Sequence, residues 1–191
     1  VNLIIERKHV KLNIDTLSLN DKDTLDAFST EDGAALLGGG EELTKILSEL
    51  SLPTFDDLAA MYSLDRPGII DSLHEYILRK WDSRKITYPL QGMKEVLQDT
   101  YGLLIYQEQL MQLARVIANF ARDETDDLRM AIREKNAGVL LQFRDKFIKG
   151  GSSNGYSVGE LEKVWNGWQM NASSLFNKSH AVCFTLMAYW I

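Results

Sequence analysis

Apolar residues along the chain recur at helical spacing in short stretches, each closed by a turn signal. Residues 1–12 read as a short helix or strand, 14–19 as extended chain and 21–28 as a short helix. Gly38-Gly39-Gly40 breaks the chain, after which Leu43, Ile46, Leu47 and Leu50 follow a helical period. Thr54 and Asp57 approach a capping box at the start of the next helix, which ends before Arg66-Pro67-Gly68. A helix is expected over 71–81, an interruption at Tyr88-Pro89, and helical chain again over 92–99. Residues 101–106 have the length and composition of a strand. Helices follow over 107–120, 123–135, 137–149 and 157–170, with a last one from 179 onward. Gly150-Gly151-Ser152-Ser153-Asn154-Gly155 reads as a loop, and Ser157 with Glu160 as the N-cap of the helix after it. The expected fold is mainly α, a multi-helix domain with a few short strands.

Composition narrows the class without naming a function. Of 191 residues, 45% are hydrophobic and 25% charged, the profile of a soluble globular protein able to bury a core. One cysteine, Cys183, excludes an internal disulfide and a multi-cysteine zinc site, and its apolar context predicts a packed core thiol. No apolar run reaches the roughly 18 residues of a membrane span and no signal peptide is visible, so no membrane partner and a cytoplasmic location are expected. The chain starts at Val1 and stops inside an apolar pattern at Ile191, so both ends read as cuts. The net charge of −6 is uneven: residues 1–65 hold 13 acidic and 5 basic side chains, residues 66–191 hold 14 and 16. A polyanion partner therefore belongs to the second part.

Candidate chemistry is sparse. The adjacent pairs Glu41-Glu42, Asp56-Asp57 and Asp126-Asp127 diverge on a helix, and Asp21-Lys22-Asp23 reads as a solvated helix start, so no metal site and no catalytic residue is assigned. Cations are more informative. Arg129 and Arg133 share a helix face, with Lys135 at the helix end. Lys178, Ser179 and His180 precede a helix whose first N–H groups would favour phosphate. A solvated basic face explains the same pattern. Aromatic residues such as Tyr101, Tyr106, Trp165, Trp168, Phe176, Tyr189 and Trp190 suit either base stacking or a core.

The order of several motifs goes further. Phe55-Asp56-Asp57-Leu58-Ala59-Ala60 leads to Arg66-Pro67-Gly68, and then to Thr100-Tyr101-Gly102-Leu103-Leu104-Ile105-Tyr106-Gln107-Glu108-Gln109. Asp127-Leu128-Arg129-Met130-Ala131-Ile132 follows, and last comes Phe176-Asn177-Lys178-Ser179-His180-Ala181. This series resembles the C-family replicative polymerases, the bacterial DNA polymerase III alpha subunits, over about residues 20–191. It departs from the family pattern at Arg133-Glu134-Lys135, at Ile69, and at Ala34-Ala35-Leu36-Leu37-Gly38-Gly39-Gly40.

The resemblance implies the end of a palm region, with 1–53 as the connecting segment and 54–191 as a helical fingers domain truncated at its C-terminus. It implies a DNA-directed DNA polymerase as the parent, binding an incoming deoxynucleoside triphosphate (dNTP) and primer-template DNA and working with other replicase subunits. Arg66, Arg129, Arg133, Lys135, Lys178 and His180 would lie near the nucleotide or its phosphates. A protonated His180 would also be able to give a proton to pyrophosphate. Gln107, Glu108, Asn177 and Ser179 would support them. The magnesium ligands would be aspartates outside this chain, leaving it inactive alone. The alternative is a non-catalytic helical binding or scaffold module derived from the same fold, and a third reading is a generic helical protein–protein module.

Overall fold

A computed structural model describes residues 16–50, 53–134 and 136–191. The expectations for residues 1–12 and for the start of 14–19 lie outside the described residues. The described chain forms α1 (Lys22–Ala27), α2 (Glu31–Leu36), α3 (Glu41–Glu49), α4 (Phe55–Leu64), α5 (Ile70–Trp81), α6 (Lys94–Leu97), α7 (Gln107–Ala118), α8 (Arg122–Glu134), α9 (Ala137–Ser153), α10 (Val158–Asn171) and α11 (Lys178–Tyr189). The mainly helical expectation holds, and among the described residues no helix is long and apolar enough to cross a membrane. Contacts divide the chain into two compact units, one reaching Ile70 and taking in 179–191, the other Asp71–Lys178.

In the first unit, caps chosen by sequence start the helices. Asp21 accepts hydrogen bonds from the Thr24 amide at 2.9 Å and its hydroxyl at 2.7 Å, which holds the Asp21 carboxyl below the usual carboxylate range. The Asp-x-Asp motif is thus a helix start. Thr54 and Asp57 form the full capping box of α4, with Asp57 accepting from the Thr54 amide at 2.7 Å. Leu43, Leu47, Leu58 and Met61 are fully buried. Tyr189 closes this core: its hydroxyl donates to the Ser18 carbonyl at 3.0 Å and accepts from the Asp21 amide at 3.0 Å, while its ring meets Phe55 edge-on.

The second unit is built on α7 to α10. Leu97, Leu110, Leu113, Ile117, Leu128, Phe147, Leu161 and Trp165 form its core, with the Phe147 ring 5.6 Å from Trp165 and 4.7 Å from Trp168. Trp165, Trp168, Tyr106 and Tyr189 are all buried, so these aromatic side chains serve packing.

The structure departs from the sequence expectation in four places. Residues 101–106 are not a strand: Tyr101 and Gly102 both have positive φ, and only Tyr106 pairs, through a single parallel bridge to Phe176. The helix α2 lies before the Gly38-Gly39-Gly40 break, where no element is expected; Thr30 caps it, and Gly33 lets its first turn press on α1, since a Cβ there would lie 2.1 Å from the Ala27 carbonyl oxygen. Cys183 is exposed, because its position on α11 falls away from the buried stripe of Ala181, Thr185 and Ala188. Residues 150–153 continue α9 where a loop is expected, and the reason is contact. A Cβ on Gly150 would sit 2.2 Å from the Ala118 carbonyl oxygen, and one on Gly151 would sit 2.4 Å from the Leu161 side chain. These glycines let α9 touch α7 and α10.

The same geometry sets opposite signs for two substitutions. Gly167→Ala, with open space around its Cβ, is expected to stabilise the chain by up to about 1 kcal/mol through helix propensity. Gly150→Ala is expected to destabilise it by about 1–3 kcal/mol through overpacking against backbone. Urea midpoints at unchanged slope measure both, and a stabilised Gly150→Ala would refute the close-approach account.

Candidate functional site

Two sequence segments carrying candidate site residues meet at the start of α7. The Gln107 amide donates to the Phe176 carbonyl at 2.8 Å, and the Phe176 amide donates to the Ile105 carbonyl at 2.9 Å. The turn before α7 is held by Gln109, which is buried. Its Oε1 accepts from the amides of Ile105 at 2.9 Å and Tyr106 at 3.0 Å, and its Nε2 donates to the Thr100 hydroxyl at 2.8 Å. The Thr100 hydroxyl in turn donates a hydrogen bond to the Leu103 carbonyl at 2.6 Å. The Ile105 and Tyr106 amides, the Gln109 side chain and the Thr100 hydroxyl thus satisfy one another away from water.

Around this bridge, Gln107 reaches both ways. Its Nε2 donates to the Leu175 carbonyl at 3.3 Å, and its Oε1 lies 3.5 Å from Nη1 of Arg129. Arg129, half-buried on α8, is also held by Asp126, whose Oδ1 lies 2.9 Å from Nε and 2.8 Å from Nη2. Lys178 is exposed and its Nζ stands 5.5 Å from the centre of the Tyr106 ring, a cation–π contact. The bridge therefore gathers Gln107, Arg129, Asn177 and Lys178 in one unit. Arg133 is exposed and pairs with none of the described residues, and Lys135 lies outside the described residues.

Glu108 changes the electrostatics of the set. Its Oε1 accepts from the Asn177 side-chain amide at 3.0 Å, and its Oε2 accepts from the Lys178 main-chain amide at 2.9 Å. The first N–H of α11, expected to be unpaired, already holds a carboxylate from this chain. From sequence Glu108 reads only as an orienting residue, because its partners stand 69 and 70 positions away. Glu108 also lines an open cleft of about 810 Å³ along α7, with Met111, Gln112, Arg115, Asn119 and Arg122 among its walls.

The remaining candidates belong to the first unit. His180 and Ser179 are exposed on the first turn of α11. His180 lies parallel to Tyr62, ring centres 6.3 Å apart, with the Tyr62 hydroxyl 3.4 Å from Nε2, and Tyr62 stacks on Phe184 at 4.4 Å. Arg66 donates from Nε to the Ser63 carbonyl at 2.8 Å, satisfying an end carbonyl of α4. Burial draws the Arg66 guanidinium below its ordinary pKa, opposed by the nearby Tyr62. Among the described residues no three His, Cys, Asp or Glu side chains converge as a metal site.

Residues 1–155 match the sequence profile of the bacterial DNA polymerase III alpha subunit finger domain. Proteins called DNA polymerase III subunit alpha are similar over nearly the whole chain. The Aquifex aeolicus protein is 36% identical over 98% of this chain and 16% of its own length. That of Halalkalibacterium halodurans is 37% identical over 93% of this chain and 16% of its own length, and that of Staphylococcus aureus strain Mu50 is 33% identical over 98% and 18%. The chain thus spans less than a fifth of the length of these relatives.

Gln109 tests the architecture of the turn. Gln109→Leu keeps the bulk but leaves the buried Ile105 and Tyr106 amides without an acceptor, at about 1–3 kcal/mol for each. Gln109→Glu retains the acceptor and is expected to lose less. Denaturant unfolding of the two variants distinguishes them, and a Gln109→Leu variant as stable as the starting chain would mean that bulk alone matters.

Proposed function

The chain belongs to the bacterial DNA polymerase III alpha subunit finger domain family, and on that premise we propose that it binds the triphosphate of an incoming dNTP during template-directed DNA synthesis. The observation that carries this reading is the bridge between 105–107 and 175–177, beside which Gln107 meets Arg129 and the Lys178 ammonium stands over Tyr106. Phosphoryl transfer needs cations fixed around the triphosphate and its departing pyrophosphate, since positioning and electrostatics do most of the work. Lys178 offers an exposed ammonium and a main-chain N–H, while Arg129 offers a guanidinium held in orientation by Asp126 and Gln107.

By the same reading Arg66, Arg133, Lys135 and His180 are nucleotide contacts, and Asn177 and Ser179 support them. Primer-template DNA and other replicase subunits are the partners of the whole polymerase. Magnesium supplies charge neutralisation at the phosphates, held by carboxylates outside this chain, and the chain alone binds without catalysing.

Calorimetry with a dNTP tests the reading. Binding is expected to be weak and salt-sensitive, and to weaken about tenfold or more in both Lys178→Ala and Arg129→Ala, as for charged hydrogen bonds. Folded variants that bind as tightly as the starting chain would remove these residues from the site, and would favour a helical scaffold role.

A further inference from the structure

We propose that Glu108 is an internal competitor for phosphate: its carboxylate holds the Lys178 amide until a phosphate group displaces it, and so sets the affinity of the site. The inference rests on the triphosphate reading above and deepens it by naming a residue that limits binding. A helix start takes one anion well, because its N–H groups and partial positive charge converge on one place. Here that place is filled by Glu108, at 2.9 Å from the Lys178 amide and with its second oxygen 3.0 Å from the Asn177 side-chain amide. The same Lys178 carries its ammonium over Tyr106.

A phosphate drawn to Lys178 meets the carboxylate already there, and two anions on one donor repel. Glu108 is half-exposed and borders the open cleft along α7, which gives its side chain room to leave. Glu108 thus acts as a positioning residue in the empty site and as an opponent of the ligand. If the carboxylate were merely structural, neutralising it would not tighten binding.

Glu108→Gln separates these roles, because glutamine keeps an acceptor for the Lys178 amide while losing the charge. Inorganic tripolyphosphate and a dNTP are titrated into the chain, the Glu108→Gln variant, and the Glu108→Gln, Lys178→Ala double variant, with thermal unfolding confirming the fold. The expected result is binding about tenfold tighter in Glu108→Gln, the scale of one charged hydrogen bond, and loss of that gain in the double variant. The Asn177 side-chain amide resonances of the unsubstituted chain are expected to move on saturation. Equal or weaker binding by Glu108→Gln, with the unsubstituted chain still binding through Lys178, overturns the competitor role and leaves the triphosphate reading intact. Absence of binding in every folded form overturns both.

Discussion

Two main-chain hydrogen bonds, from Gln107 to Phe176 and from Phe176 to Ile105, hold together parts of the chain some seventy positions apart. The rest of the second unit's candidate site depends on them. They bring Glu108 to Lys178, set Gln107 between the Leu175 carbonyl and Arg129, and place the Tyr106 ring under the Lys178 ammonium. A single bridge of this kind is weak by itself. Buried Gln109 makes it durable by fixing the Ile105 and Tyr106 amides from behind, so that the strand-like stretch has one conformation to offer Phe176.

Local signals in the sequence translate well into structure where they act within one turn. The capping residues Asp21, Thr54 and Ser157 start helices where their side chains and spacing indicate, because a cap needs partners only two or three residues away. The periodic apolar positions of α3 are likewise buried as a face. Residues 101–106 misled because a short apolar run has the same composition in a strand and in a buried turn, and left-handed Tyr101 leaves no compositional trace. Gly150 and Gly151 misled for the opposite reason: glycine marks loops and close helix contacts alike, and only the positions of Ala118 and Leu161 distinguish them. The cations of the site were legible as residue types. Their carboxylate and amide partners were legible only in part, since Asp126 is one turn from Arg129 whereas Glu108 is far from Lys178 in sequence.

Several cations in this molecule rest on a partner within the chain. Arg129 rests on Asp126, Arg66 on the Ser63 carbonyl, the Lys178 amide on Glu108, and the Lys178 ammonium on an aromatic face. Exposed ion pairs add little stability, so the value of these contacts lies in orientation: long side chains that would otherwise sample many rotamers are kept near one.

The glycine-rich end of α9 bears on how this protein can be cut and joined. Read as text, Gly150-Gly151-Ser152-Ser153-Asn154-Gly155 resembles a flexible linker, the natural place for a tag, a split or a circular permutation. Its first two glycines instead lie where helices touch, Gly150 against backbone and Gly151 against a side chain, whereas Gly155 has a positive φ and open space around it. The tolerant seam and the tightest packing are thus only a few residues apart, and a break set at Gly155 spares the core that a break at Gly150 would open.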